Sequence, residues 1–118
     1  MTKRSPLKII KDKAWNTFSL WIRNRDKMTC YTCGRKEGTM QAGHFWHAVL
    51  DFDEENIHCQ CSPCNHFRSG NLAVYGAKLL NEMGVKRFKA LEQRHYQAMK
   101  GEKRSIEDYQ NIINKYKL

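Results

Sequence analysis

The sequence predicts a small α+β domain, mostly helical, in which a cysteine-rich hairpin separates an amino-terminal helix from a set of carboxyl-terminal helices. Three observations predict it. Apolar residues recur at three- and four-residue steps up to about residue 27 and again after residue 71. Between those stretches the helical period disappears, and all five cysteines fall in that middle part. At 118 residues the chain has the length of one domain, 1–118, divided into a helix over 8–27, a hairpin core over 28–70 and a helical part over 71–118.

Ile10, Ala14, Trp15, Phe18, Trp21 and Ile22 form one face of the first helix, which should end near Asp26. "CYTCGRKEG" then reads as a turn closed by Gly34 and Gly38, "TMQAGHFWH" as a short strand, "AVLDFDEEN" as a loop and "NIHCQC" as a second strand. Ser62 and Pro63 have the chemistry of an N-cap and a first-turn proline for a helix through Cys64 to Arg68, which Ser69 and Gly70 stop. Leu72, Tyr75, Leu79, Leu80 and Met83 make a further stripe ended by Gly84, and Phe88, Leu91 and His95 continue in a second. "SIED" at Ser105 has the form of a capping box with Asp108 in the usual Glu position, leading into the apolar face Ile106, Tyr109, Ile112, Ile113 and Tyr116.

Twenty-one Lys and Arg against twelve Asp and Glu give a formal charge of +9, which favours a polyanionic partner. Basic residues, beginning with Lys3 and Arg4, dominate both flanks, whereas Asp51, Asp53, Glu54 and Glu55 crowd the centre. No run of about eighteen apolar residues occurs and the basic start lacks an apolar segment, so a soluble, intracellular protein is expected. Disulfides are disfavoured there.

Cys30-x-x-Cys33 and Cys61-x-x-Cys64 have instead the spacing of two metal-binding knuckles. Four thiolates suit tetrahedral zinc and leave no open coordination position, so this zinc is expected to be structural. Cys59 is then the spare, read as a small buried apolar residue.

Chemistry should therefore sit between and just beyond the knuckles. His44, Asn56 and Asn65 stand there in the order and spacing of an HNH nuclease core. Such a core uses a strand histidine to deprotonate water and an oxygen donor on the following helix to hold Mg²⁺ or Mn²⁺ against the scissile phosphate. Asn56 would fix the loop and orient the histidine. His66, the neighbour of Asn65, is rotated by about 100° on a helix, so only one of the two can face the metal. His47 reads as a surface loop residue and His95 as packing. Arg68 and Ser69, with Arg23, Arg25 and Lys27, are the candidate phosphate contacts. Phe45 is expected in the core, while Trp46 is a candidate to stack on an unpaired base.

"QAGHF" followed by "ENIHCQCSPCNHFRSGN", together with "KAWNTFSLWIRNRD" and "GNLAVYGAKLLNEMG", resembles the lambdoid-phage NinG (Rap) family of recombination endonucleases. That resemblance implies a ββα-metal (His-Me finger) core on a four-cysteine zinc finger, cleavage of branched DNA such as Holliday junctions or D-loops with a divalent metal, and a phage-encoded role in the host cytoplasm. It also suggests kinship with the phage resolving nuclease endonuclease VII, whose similar zinc site supports dimerisation, and a homodimer would supply the two incisions a symmetric junction needs. The resemblance gives His44 as general base, Asn56 as the middle asparagine and Asn65 as metal ligand. Many HNH sites place Asp directly before the base; here it is Gly43. Candidates to replace that ligand are Asp51, Asp53, Glu54 and, ranked first, His58. The rival expectations are a non-catalytic zinc-finger nucleic-acid-binding protein and a zinc-stabilised protein adaptor.

Overall fold

The computed structural model describes residues 4–118; Lys3, counted above with the basic flank, lies outside them. Helix α1 spans Pro6–Arg25, strand β1 Met40–His44, strand β2 Ile57–Cys61, helix α2 Leu72–Ala98 and helix α3 Ile106–Tyr116. The two strands form an antiparallel hairpin with Met40 opposite Cys61 and His44 opposite Ile57.

Helix α1 begins two residues before the apolar pattern suggests, because the Ser5 hydroxyl accepts from the Lys8 N–H and Pro6 sits in the first turn, where its missing N–H costs nothing. It ends at Asp26, as expected. Phe18 and Ile22 of α1 are fully buried against Ala42 and Ile57 of the hairpin and Tyr116 of α3. Ala14 packs on Tyr109 and Ile113. The Ser105–Asp108 capping box at the start of α3 is present in full.

The opposite face of the hairpin meets α2 through Tyr75, whose hydroxyl donates to the Gly43 carbonyl at 2.8 Å. Tyr75, Leu79 and Leu91 gather with Leu50 into a second core that takes in Phe45 and Trp46. Gly84 interrupts α2 at φ +79°, a backbone conformation open to glycine and strained for other residues. The two stripes read from the sequence therefore lie on either side of a real kink.

One element departs from its expected chemistry. Residues Pro63–Phe67 form a single wide π-type turn rather than a helix, and Ser62 is itself helical, its side chain capping nothing. The backbone N–H of Ser62 instead donates to the Thr39 carbonyl, which ties the turn to the hairpin. Gly70, at φ +91°, closes it by donating its N–H to the Cys64 carbonyl. No helix among the described residues is long and apolar enough to cross a membrane.

Candidate nuclease site beside a four-cysteine metal centre

The sulfur atoms of Cys30, Cys33, Cys61 and Cys64 all lie within 4.8 Å of one another. Tetrahedral zinc at about 2.3 Å from each sulfur requires separations just under 4 Å, and Cys33 and Cys61 stand 3.6 Å apart. The donor set fits. Thr32 Oγ1 lies 3.4 Å from Cys30 Sγ, while Arg68 donates to Cys64 Sγ at 3.3 Å and Asn71 approaches it at 3.8 Å. Such contacts favour sulfur carrying negative charge. Among the described residues no other cluster of three or more His, Cys, Asp or Glu has metal-binding geometry. Cys59 is fully buried and its thiol is pushed up to about 11 by that burial and by Asp26, so it stays a neutral packing group.

The knuckles anchor both ends of the hairpin, and the candidate residues sit around it. His44, the last residue of β1, stacks on Trp15 of α1 with ring centroids 5.4 Å apart. His44 Nε2 lies 2.9 Å from Asp51 Oδ1. The His44 hydrogen bond, helped by the nearby cations Lys11 and Arg104, holds the Asp51 carboxyl below its usual range against the opposing effect of burial. An ionised carboxylate can only accept, so Nε2 carries the proton in this bond and Nδ1 is the nitrogen left for a proton to be taken up. Lys11, Asp12, Trp15 and Phe52 complete a cavity of about 240 Å³ around this pair.

Asn56 fixes the loop that follows. Its side chain is fully buried, accepts from the Trp46 N–H at 2.8 Å and donates to the Trp46 carbonyl at 3.1 Å. The loop it spans holds Ala48 and Leu50 at positive φ, conformations that need such outside support.

Asn65 lies in the turn after Cys61 and donates to Gln41 Oε1 at 2.9 Å. With Trp15, Ser19, Arg23, Gln41 and His66 it lines a second cavity, of about 410 Å³. His44 and Asn65 thus occupy adjacent cavities with Trp15 as their shared wall.

The structure does not gather the expected substitutes for the missing Asp around Asn65. His58 is held between Tyr31 and Tyr75, with Nδ1 3.1 Å from the Tyr75 hydroxyl. Burial, then Arg25, lowers it to about 4, so it is neutral. It faces a cavity with Arg25, Glu55 and Glu82 that Asn65 does not line. Asp53 and Glu55 are taken up by Arg94, Glu55 also by Arg87, and Glu54 by the Tyr116 hydroxyl. Asp51 apart, the acidic centre read from the sequence is a set of ion pairs and hydrogen bonds pinning the loop to α2 and α3.

The candidate phosphate contacts separate in the same way. Arg25 donates to the backbone carbonyls of Glu54 and Ile57 and pairs with Asp26, so it ties α1 to the loop. Arg68 turns one nitrogen to Cys64 Sγ. Arg23 lines the Asn65 cavity, and Ser69 and Lys27 are exposed. Trp46 is stacked on His95 at 4.0 Å inside the second core, which removes it as a wedge, and Phe45 packs on Tyr75 as expected. Phe67, which the sequence reading passed over, is 88 % exposed two residues beyond Asn65. The 11, 15, 19, 23 spacing on α1 was also legible as one helical stripe, and all four residues line these two cavities.

The family profile described as "Bacteriophage Lambda NinG protein" matches residues 2–118. The chain belongs to the NinG family. This NinG chain is 36% identical over 89 residues to Protein ninG of Escherichia phage 933W, 35% to that of Salmonella phage P22 and 34% to that of Escherichia phage lambda. Each alignment covers 70% of this chain and 44% of the relative, so the chain spans less than half the length of the curated relatives it matches. No solved structure matches it.

Proposed function

We propose that this NinG chain is a metal-dependent DNA endonuclease of the HNH, or His-Me finger, kind, cutting branched recombination intermediates in the host cytoplasm. The observation that carries the reading is the His44–Asp51 pair: an imidazole oriented through Nε2 by a carboxylate, in an open cavity with Lys11. His44 Nδ1 takes the proton from the attacking water, and Asp51 stabilises the imidazolium that forms. Asn56 keeps the loop carrying Asp51 in register with β1. Lys11 and Arg23, one in each cavity, hold phosphates on either side of Trp15. A divalent cation at Asn65, Mg²⁺ or Mn²⁺, would supply charge to the leaving oxygen. The zinc cysteines act only by building the frame. Preference for branches is supported by Phe67, whose exposed ring can stack on an unpaired base, and a homodimer would deliver paired cuts.

The test is cleavage of a synthetic four-way junction and of its linear arms by the zinc-loaded chain with Mg²⁺ or Mn²⁺. His44→Ala should slow cutting by at least about 100-fold while binding persists, and Phe67→Ala should reduce the preference for the junction over the arms. A junction that is bound but left intact under both metals would show a non-catalytic nucleic-acid-binding module instead.

A further inference from the structure

We propose that Gln60 and Asn65 form a divalent-cation site, and that residue 43 is glycine so that the Gln60 side chain can reach it. The inference rests on the nuclease reading and deepens it, naming the group that stands where position 43 offers no ligand.

Gln60 on β2 is fully buried. Its Nε2 donates to Thr32 Oγ1 at 3.1 Å and to the Gly70 carbonyl at 2.8 Å. A carbonyl can only accept, so the amide orientation is set by its partners. Oε1 is thereby turned toward Gly43 and has no hydrogen-bond partner. A methyl group on Gly43 would overlap Gln60 Oε1 and come within 3.0 Å of Asn65 Oδ1. Asn65 spends its own NH₂ on Gln41, which leaves its oxygen for the same spot.

Two amide oxygens therefore lie beside Gly43, and the buried one, Gln60 Oε1, has no donor. Buried polar atoms are rarely left so, and the usual remedy is an ion or an ordered water. Mg²⁺ and Mn²⁺ accept neutral amide oxygens and complete their shell with water and phosphate. Water and phosphate would reach such an ion from the Asn65 side, where Asn65 lines a cavity with Arg23 on its wall. Glycine at 43 and glutamine at 60 thus answer one question: a side chain at 43 and the Gln60 amide compete for a single volume. His58 is bonded to Tyr75 and lines a different cavity.

The experiment is a Mn²⁺ titration of the ¹⁵N-labelled, zinc-loaded chain, following side-chain NH₂ signals by NMR. Expected is joint paramagnetic broadening of the Gln60 and Asn65 signals before any other pair. In Gln60→Met the Mn²⁺ needed to broaden Asn65 should rise about tenfold. The exchange Gly43→Asp/Gln60→Ala places a carboxylate in the vacated volume and should lower that concentration below the wild-type value. Sharp Gln60 signals in the unaltered protein, at Mn²⁺ levels that broaden other residues, would leave a buried water only and overturn the site. Junction cleavage measured on the same samples separates the two claims. Cutting without Gln60 broadening removes this site and keeps the nuclease; broadening without cutting does the reverse.

Discussion

Asn56→Ala is expected to cost about 3 kcal/mol of stability, and its consequences should reach His44 without touching the zinc. The substitution removes the acceptor of the Trp46 N–H, a 2.8 Å hydrogen bond to a fully buried side chain. A buried amide left without a partner costs about 1–3 kcal/mol. The bond from Nδ2 to the Trp46 carbonyl, with longer ones at 3.4 Å to Val49 and Leu50, contributes about 1 kcal/mol more, since two protons are shared among three acceptors. Removing part of a buried side chain adds a small cavity term. Against a typical total of about 5–15 kcal/mol the domain stays folded, and the melting temperature should drop by about 10 °C. Because the loop bears Asp51, the 2.9 Å bond to His44 loosens as well. The assay is urea unfolding of the zinc-loaded protein, paired with NMR of the His44 ring. A loss below about 1 kcal/mol with an unchanged His44 environment would refute the claim that Asn56 holds this loop.

Removal of zinc by a strong chelator should unfold the hairpin rather than soften it, since the four thiolates join residues 30–33 to residues 61–64 and Cys30, Cys61 and Cys64 make their own small buried cluster; circular dichroism should show α-helical signal lost in step with zinc release, and a metal-free chain with an unchanged melt would contradict it. His58 supplies a pH dependence. Its value of about 4, set first by burial, lies below the unfolded value near 6.5, so the unfolded chain binds the extra proton across that interval. The stabilisation is full above pH ~6.5 and is lost as pH falls toward 4, on the order of 3 kcal/mol at most. In His58→Phe, urea midpoints between pH 7 and 5 should vary less than in the unaltered chain; an equal slope would exclude His58 as the source.

The periodic parts of the chain were legible because single helices advertise themselves. The two stripes around Gly84, the capping box at Ser105 and the hairpin strands all depend on local chemistry, and each is present. The four-cysteine centre was legible for a similar reason: metal geometry fixes the spacing of its ligands. What stayed hidden depends on distant partners. Nothing local distinguishes Asp51, which turns to His44, from Asp53, which turns to Arg94 forty-one residues away. Arg25 reads as a surface cation until the carbonyls of Glu54 and Ile57 come within its reach. Trp46 reads as a candidate to stack on an unpaired base, yet β1 ends at His44 and the chain beyond it packs Trp46, half-buried, on His95.

Helix α1 links these long-range facts. Lys11, Trp15, Ser19 and Arg23 recur every fourth residue, and at 1.5 Å per residue the stripe runs about 18 Å along the helix. Its Lys11 end closes the His44 cavity, its Arg23 end closes the Asn65 cavity, and Trp15 is the wall between them. The same helix buries Phe18 and Ile22 against the hairpin. The face that anchors α1 to the core therefore also fixes where two cations stand relative to His44 and Asn65. In the proposed nuclease, a DNA backbone lying along this stripe would place its phosphates against Lys11 and Arg23, with His44 and Asn65 reaching the strand from either side of Trp15. In that reading α1 is part of the site itself, although no residue in it belongs to the histidine–asparagine pattern.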